Sequence, residues 1–414
     1  MDATPDPTSC AIVGAGPAGM VLGLLLARAG VAVTVLEKHP DFLRDFRGDT
    51  VHPTTMRLLD ELGLWDRFAA LPFAEIHQLA VESDGRSVTL VDFRRLRQPH
   101  PFIAMVPQWD LLTLLAEAAQ AEPNFTLRMS TEVTGLLTDA GRGGAVTGVR
   151  YQSPTGPGEL RAELTVACDG RWSIVREQSK LRTREYPVAF DVWWFRLPRV
   201  GAAQFSVVPR LAVGKAAIMI PRDSYYQIAY LGPKGTDAQL RECGIEAFRR
   251  DVAELIPDDV APAAALRDID DVKHLDVRVN RLRRWHTDGL LCIGDAAHAM
   301  SPVGGVGINL AVQDAVAAAT VLAEPLLGHR VTNRELAAVR RRRALPTAVT
   351  QAAQRVMHRL LTRALRGGDL TPPTALLAVV ERLPWLASIP GYFVGVGVRP
   401  ERAPAFARRD PISD

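Results

Sequence analysis

Cysteine is scarce in this 414-residue chain: Cys10, Cys168, Cys243 and Cys292 are all there is, and none stands in C-x-x-C or metal-ligand spacing. That excludes a disulfide framework and a thiolate metal centre. Three of the four lie in apolar, strand-like runs, as buried thiols of a reducing compartment do. Long hydrophobic runs are missing too. No stretch reaches the ~18 uninterrupted apolar residues of a spanning helix. The nearest, residues 375–398, is broken by Glu381, Arg382, Pro384 and Pro390 and reads as a C-terminal helix docked on the body, without stable membrane insertion. One-sided charge is absent, with 49 basic against 46 acidic residues and no basic tail, so nothing suggests a nucleic-acid surface. The single basic run, Val339 to Arg343, falls in a helical pattern and reads as a solvated helix face. The start, MDATPDPTS, lacks the basic and apolar segments of a secretory signal, so a cytoplasmic location is expected.

What is present is a globular composition, 47% hydrophobic and 23% charged, at a length that suits two or three packed units. Residues 11–20 read AIVGAGPAGM. An apolar run ends at Gly14, a helical pattern follows from Pro17 and stops at Gly30, and VAVTVLEK supplies a second β-branched run. Strand, glycine turn, helix, strand is the context of a dinucleotide site. Gly14 permits the tight turn, Gly16 lets the backbone approach a diphosphate, and Gly19 lets the helix pack on the strand. The free N–H groups of the helix start, around Ala18, face the anion. Glu37, with Lys38 beside it, ends the second strand where an adenosine ribose is expected. An acid there disfavours a 2′-phosphate, so this site takes FAD or NAD.

Two later segments narrow the choice: LTVACDGRWSIVRE at 164–177, and GLLCIGDAAHAMSPVGGVGINLAVQDA at 289–315. With the glycine fingerprint, and in this order over residues from about 9 to 330, they resemble the class A flavoprotein monooxygenases, the family of p-hydroxybenzoate hydroxylase and the ubiquinone-type hydroxylases. The resemblance implies FAD as cofactor, with Asp295 on its ribityl and diphosphate side. Asp169 and Gly170 are expected to serve both FAD and a transient NADH or NADPH. Pro302 is expected beside the ring, and the N–H groups of Gly307, Ile308 and Asn309 are aimed at the ring edge, where a reduced flavin is negative. Arg47 is expected on the diphosphate, with Arg44 in reserve, and Gln108 on the sugar-like chain. His298 is expected to hold its loop, and His52 is a candidate for the active site. No metal cluster emerges.

Residues from about 183 to 275 change to antiparallel, strand-like character, with a hairpin at Pro221 to Ser224. The resemblance implies a substrate sheet roofing the flavin, with Trp194 and Tyr226 as candidate substrate contacts. Few charges punctuate these strands, which favours an apolar or aromatic substrate. The expected architecture is α/β: a Rossmann-like FAD-binding domain (1–75, 101–182 and 274–332), an inserted antiparallel substrate domain (76–100 and 183–273) and a C-terminal helical cap (333–414). The expected activity is hydroxylation of a small aromatic, phenolic or polyketide-like molecule with NAD(P)H and O2 through a flavin C4a-hydroperoxide, by a monomer or homodimer. Halogenation or isoprenoid double-bond reduction is the enzymatic alternative; WWFRLP resembles a halogenase signature but lacks its second Trp. A binding protein like the GDP-dissociation inhibitors is the alternative outside catalysis.

Overall fold

The computed structural model describes residues 8–43, 50–83, 86–200, 209–212, 214–222, 224–256, 260–366 and 382–409. The first strand, Thr8–Val13, is central to the main sheet, with Val33–Leu36 parallel on one side and Gly156–Ala167 parallel on the other. Phe125–Arg128 and Leu290–Cys292 extend the parallel array outward. These runs are apolar on both faces because helices cover the sheet, which is the environment parallel strands require.

Helix Pro17–Arg28 starts on a proline at its first turn and buries ten of its twelve residues. It stops where Gly30 turns to φ +92°. It packs against helix Gly307–Leu327. That second helix is long and apolar enough to cross a membrane by length and composition, yet 67% of its apolar window is buried inside the protein. Among the described residues, the stretch that most resembles a span is therefore a core helix of the dinucleotide half.

A second, antiparallel sheet runs in the order Pro209–Ala212, Lys215–Pro221, Tyr225–Pro233, Phe190–Pro198, Lys273–Leu275. Side chains alternate across it. Trp193, Phe195, Leu197, Ile228 and Tyr230 pack with Phe248 of helix Asp237–Ala253, while Val192, Trp194, Ile218, Ala229 and Leu231 point to the other side. Between that second face and the dinucleotide half lies a large cavity. Helix Asn333–Leu365 and the short helix Ser388–Gly395 complete its wall through Gln354, Leu361, Pro390 and Phe393. The C-terminal segment is thus part of the cavity, and more than a cap beside the flavin-binding half.

Candidate active site

The cavity has a volume of about 1250 Å³, above the ~300–1,000 Å³ of a pocket for one drug-sized ligand. It has two ends of different chemistry.

At one end the sequence fingerprint forms a cradle. Gly14 sits at φ +97°, and a Cβ there would come within 2.7 Å of the Cys168 carbonyl oxygen. A Cβ on Gly19 would come within 1.9 Å of the Gly14 carbonyl oxygen, whereas one on Gly16 would meet nothing within 4 Å. Two glycines are therefore required by packing, and the third faces open space. Ala18 and Lys38 also line the cavity. Glu37 is 2% exposed. It accepts the N–H of Ala15 at 2.9 Å and that of His39 at 3.1 Å, so it braces the glycine turn in addition to facing the cavity. Arg44 and Arg47 lie outside the described residues. Gln108 opens its helix and lines the wall.

Further along, Asp169 Oδ2 accepts the N–H of Val175 at 3.3 Å, while its buried Oδ1 has no partner among the described residues. Burial raises the pKa of this carboxyl, with Ser173 and backbone N–H groups opposing. Gly170 adopts φ +83° next to it. Asp295 Oδ2 lies 3.5 Å from Arg171 Nη2, and the Arg176 guanidinium donates to the Ala296 carbonyl at 3.0 Å. Arg176 thus fastens the two turns together.

The glycine loop follows. Pro302, Gly304, Gly305, Gly307 and Ile308 line the cavity, and Gly304 and Gly305 hold φ +85° and +64°. Asn309 does not line it. Its Oδ1 instead accepts from Thr54 Oγ1 at 2.7 Å and Thr55 Oγ1 at 2.9 Å, which ties the helix start to the neighbouring helix Pro53–Glu61. His52 is fully buried behind the loop, with both ring nitrogens on backbone carbonyls, and is not in the cavity wall. His298 serves its loop as expected: its Nε2 lies 2.5 Å from Asp314 Oδ2.

Several functional neighbours gave little signal in the sequence. Gln354 donates to the carbonyls of Ser301 and Val303, each at 2.9 Å, and His358 Nε2 lies 2.7 Å from Ser301 Oγ. Thr350, Gln354, Met357 and Leu361 line the cavity from one helix. Their spacing of four, three and four residues is that of a single helix face, which could have marked it.

The other end is apolar. Val192, Trp194, Ile218, Ala229, Leu231 and Leu275 form its roof. The charged lining residues, Glu37, Lys38, Glu132, Asp169, Arg171 and Asp295, belong to the strands and turns of the dinucleotide half. Trp194 meets the cavity with an indole N–H that has no partner among the described residues. Tyr226 does not meet it. The residue is one position out of phase with Gln227 and Ala229, and lies with Phe248 on the helix-covered face. The expected contact with substrate is corrected accordingly.

A cradle with an open glycine, an unpartnered buried carboxylate oxygen and a second strand-to-helix turn facing it fits an FAD-sized dinucleotide. The family model described as an FAD binding domain matches residues 7–353. The chain belongs to this family. It is an FAD-dependent monooxygenase, similar to the 6-methylpretetramide 4-monooxygenase of Streptomyces rimosus at 34% identity, over 92% of this chain and 91% of that protein. Kynurenine 3-monooxygenase of Salinispora arenicola is 30% identical, over 77% of this chain and 72% of its own. The solved anhydrotetracycline hydroxylase OxyS, also from Streptomyces rimosus, covers 96% of this chain and 77% of its own with a TM-score of 0.75 at 22% identity, a likeness of fold. FAD-binding monooxygenases of this kind use NAD(P)H as reductant and O2 as co-substrate.

Proposed function

We propose that this monooxygenase hydroxylates an uncharged, multi-ring aromatic molecule of polyketide type. The observation that carries the reading is a roof without charged residues, apolar at Val192, Ile218, Ala229, Leu231 and Leu275 with Gln227 and Trp194 as its polar points, over a cavity too large for a dinucleotide alone. Two of its relatives are named as monooxygenases of 6-methylpretetramide and of anhydrotetracycline, which supports the multi-ring part of the reading.

FAD, when bound and reduced, supplies the activation of O2 and the transfer of one oxygen atom to the ring. The residues of this chain bind and orient. We assign the diphosphate to the N–H groups after Gly14 and Gly16, with Arg47 as its cation, and the adenosine ribose to Glu37 beside Lys38. Gln108, Asp169, Gly170 and Asp295 hold the chain between diphosphate and ring. Pro302 would support the ring, and the N–H groups of Gly307 and Ile308 would hold its edge. The N–H group of Asn309 is assigned to the same edge, while its side chain braces the neighbouring helix. Trp194 donates its free indole N–H to a substrate oxygen and so selects an oxygenated ring over a bare one. The apolar wall excludes water from the reacting carbon, which keeps activated oxygen from being lost as peroxide. Relatives that are monooxygenases favour oxygen insertion over halogenation. The protein acts in the cytoplasm as a monomer or homodimer.

The test is NAD(P)H oxidation by the FAD-loaded enzyme with two panels, neutral multi-ring phenols and single-ring carboxylates. Stimulated oxidation with a hydroxylated product is expected from the first panel. Stimulation confined to the carboxylates would overturn the proposed substrate class.

A further inference from the structure

Three arginines surround one tyrosine on the outer face of the protein. Thr183–Tyr186 and Val279–Leu282 form a two-stranded antiparallel ribbon in which Arg184 stands directly opposite Arg281. The Arg184 guanidinium lies 5.2 Å from the Tyr186 ring centroid, and that of Arg355, from helix Asn333–Leu365, lies 4.8 Å from it. Arg281 Nη2 donates to the Tyr186 hydroxyl at 3.1 Å. Glu185, the acid of the ribbon, is engaged with Asn280 at 3.0 Å. No carboxylate pairs with the three arginines among the described residues, and Arg355 Nε is buried without a partner. Like charges placed opposite one another in a sheet destabilise it. Guanidinium groups gathered on one ring without a counter-charge form a receptor for a phosphate, whose oxygens they match in a bidentate manner.

The cluster adjoins the cavity. Arg355 lies between Gln354 and Val356, both of which line it. At the start of the same ribbon strand, Arg278 covers the Trp172 ring at 4.1 Å, held there by Asp276 at 3.1 Å. Trp172 lines the cavity mouth beside Asp169 and Gly170 yet is 60% exposed. Arg278 directly precedes the strand that carries Arg281. An exposed aromatic ring at the mouth and a cluster of guanidinium groups beside the same cavity are the two kinds of contact that a phosphorylated nicotinamide dinucleotide calls for.

We propose that this track is where the reductant docks, with a planar ring of NADPH on Trp172 and its adenosine 2′-phosphate among Arg184, Arg281 and Arg355. The inference rests on the reading of the protein as an NAD(P)H-dependent monooxygenase. It gives the reductant a place outside the glycine cradle and makes NADPH the preferred form over NADH.

The test is calorimetric titration of NADP+, NAD+ and inorganic phosphate into the FAD-loaded protein and its Arg184→Ala, Arg281→Ala and Trp172→Ala variants. Arg184 is exposed, so its removal leaves the core intact. The wild type is expected to bind NADP+ roughly tenfold or more tightly than NAD+. Each arginine variant is expected to lose roughly tenfold for NADP+ with less than about twofold change for NAD+, and Trp172→Ala to weaken both. Unchanged NADP+ binding in both arginine variants overturns the proposal, as does a site that holds inorganic phosphate without preferring NADP+. Flavin bleaching by NADPH or NADH in the wild-type preparation reports the monooxygenase reading separately. Bleaching with unaltered arginine variants refutes only the docking track, and no bleaching by either nucleotide refutes the reading beneath it.

Discussion

His52 Nε2 lies 2.9 Å from the carbonyl oxygen of Gly305, the residue at φ +64° in the glycine loop. The same ring lies 2.9 Å from the Val394 carbonyl through Nδ1, and Thr50 Oγ1 adds a second bond to the loop by donating to Gly305 O at 2.9 Å. The imidazole is therefore a brace between the loop and the C-terminal helix, set behind the cavity wall. Burial lowers its pKa against the pull of the two carbonyls.

His52→Phe keeps the volume and removes the ring nitrogens, of which the neutral imidazole donates one N–H to one of the two carbonyls. The expected result is a loss of about 1–3 kcal/mol in stability, the cost of stranding buried carbonyls, with FAD retained. Chemical denaturation measures it. A brace predicts that the pH profile of kcat keeps its shape in the variant; the disappearance of a limb would make His52 a proton carrier.

Asp314 is the hub of a buried charge network. It accepts from the Gly294 N–H at 3.2 Å, from His298, and from Arg343 Nε at 3.0 Å. Burial alone would raise its pKa, but His298 and Arg343 hold the carboxyl below the ordinary range. Asp314→Asn leaves Arg343, 1% exposed, short of its closest carboxylate. A loss of about 3–5 kcal/mol is expected from breaking such a pair, with weaker FAD binding, because Gly294 positions Asp295. Equilibrium unfolding and flavin retention check the two parts, and stability within about 1 kcal/mol of wild type would contradict the assignment.

Much of the dinucleotide half was legible because its physics is local. Gly14 and Gly19 are fixed by contacts within a few residues or with the adjacent strand, and Gly294-Asp295 repeats the strand-to-turn pattern. The roof was legible as a sheet but not as a face: Trp194 and Tyr226 differ only in strand phase, and helix Asp237–Ala253 decides which phase is covered. Gln354, His358 and Phe393 act on the site from more than 40 residues beyond the glycine loop. No spacing in the sequence announces that their helices fold back over it. Asp314 reads as an ordinary helical acid until His298 and Arg343 are brought against it.

Acid stability follows from His358. Burial pulls its pKa from the ordinary 6.5 down to about 4, and the neutral ring takes the Ser301 hydroxyl at 2.7 Å. The unfolded chain binds this proton more readily than the folded one, so stability is full above pH 6.5 and falls as the pH drops toward 4. His52 and His286 are lowered in the same direction. The acid limb of a melting-temperature profile between pH 7 and 4 is expected to be shallower in His358→Gln than in wild type. An identical limb would mean that His358 is protonated in the folded protein.

The central claim, that this chain inserts one atom of O2 into an apolar aromatic under the Val192 to Leu275 roof, is tested most directly by isotope. The FAD-loaded enzyme is supplied with NADPH, ¹⁸O2 and a neutral multi-ring phenol that stimulates NADPH oxidation, and the product is weighed by mass spectrometry. A single ¹⁸O in the product is predicted, with none entering from H2¹⁸O. NADPH consumed with only labelled hydrogen peroxide formed, or a product carrying oxygen from water, would contradict it.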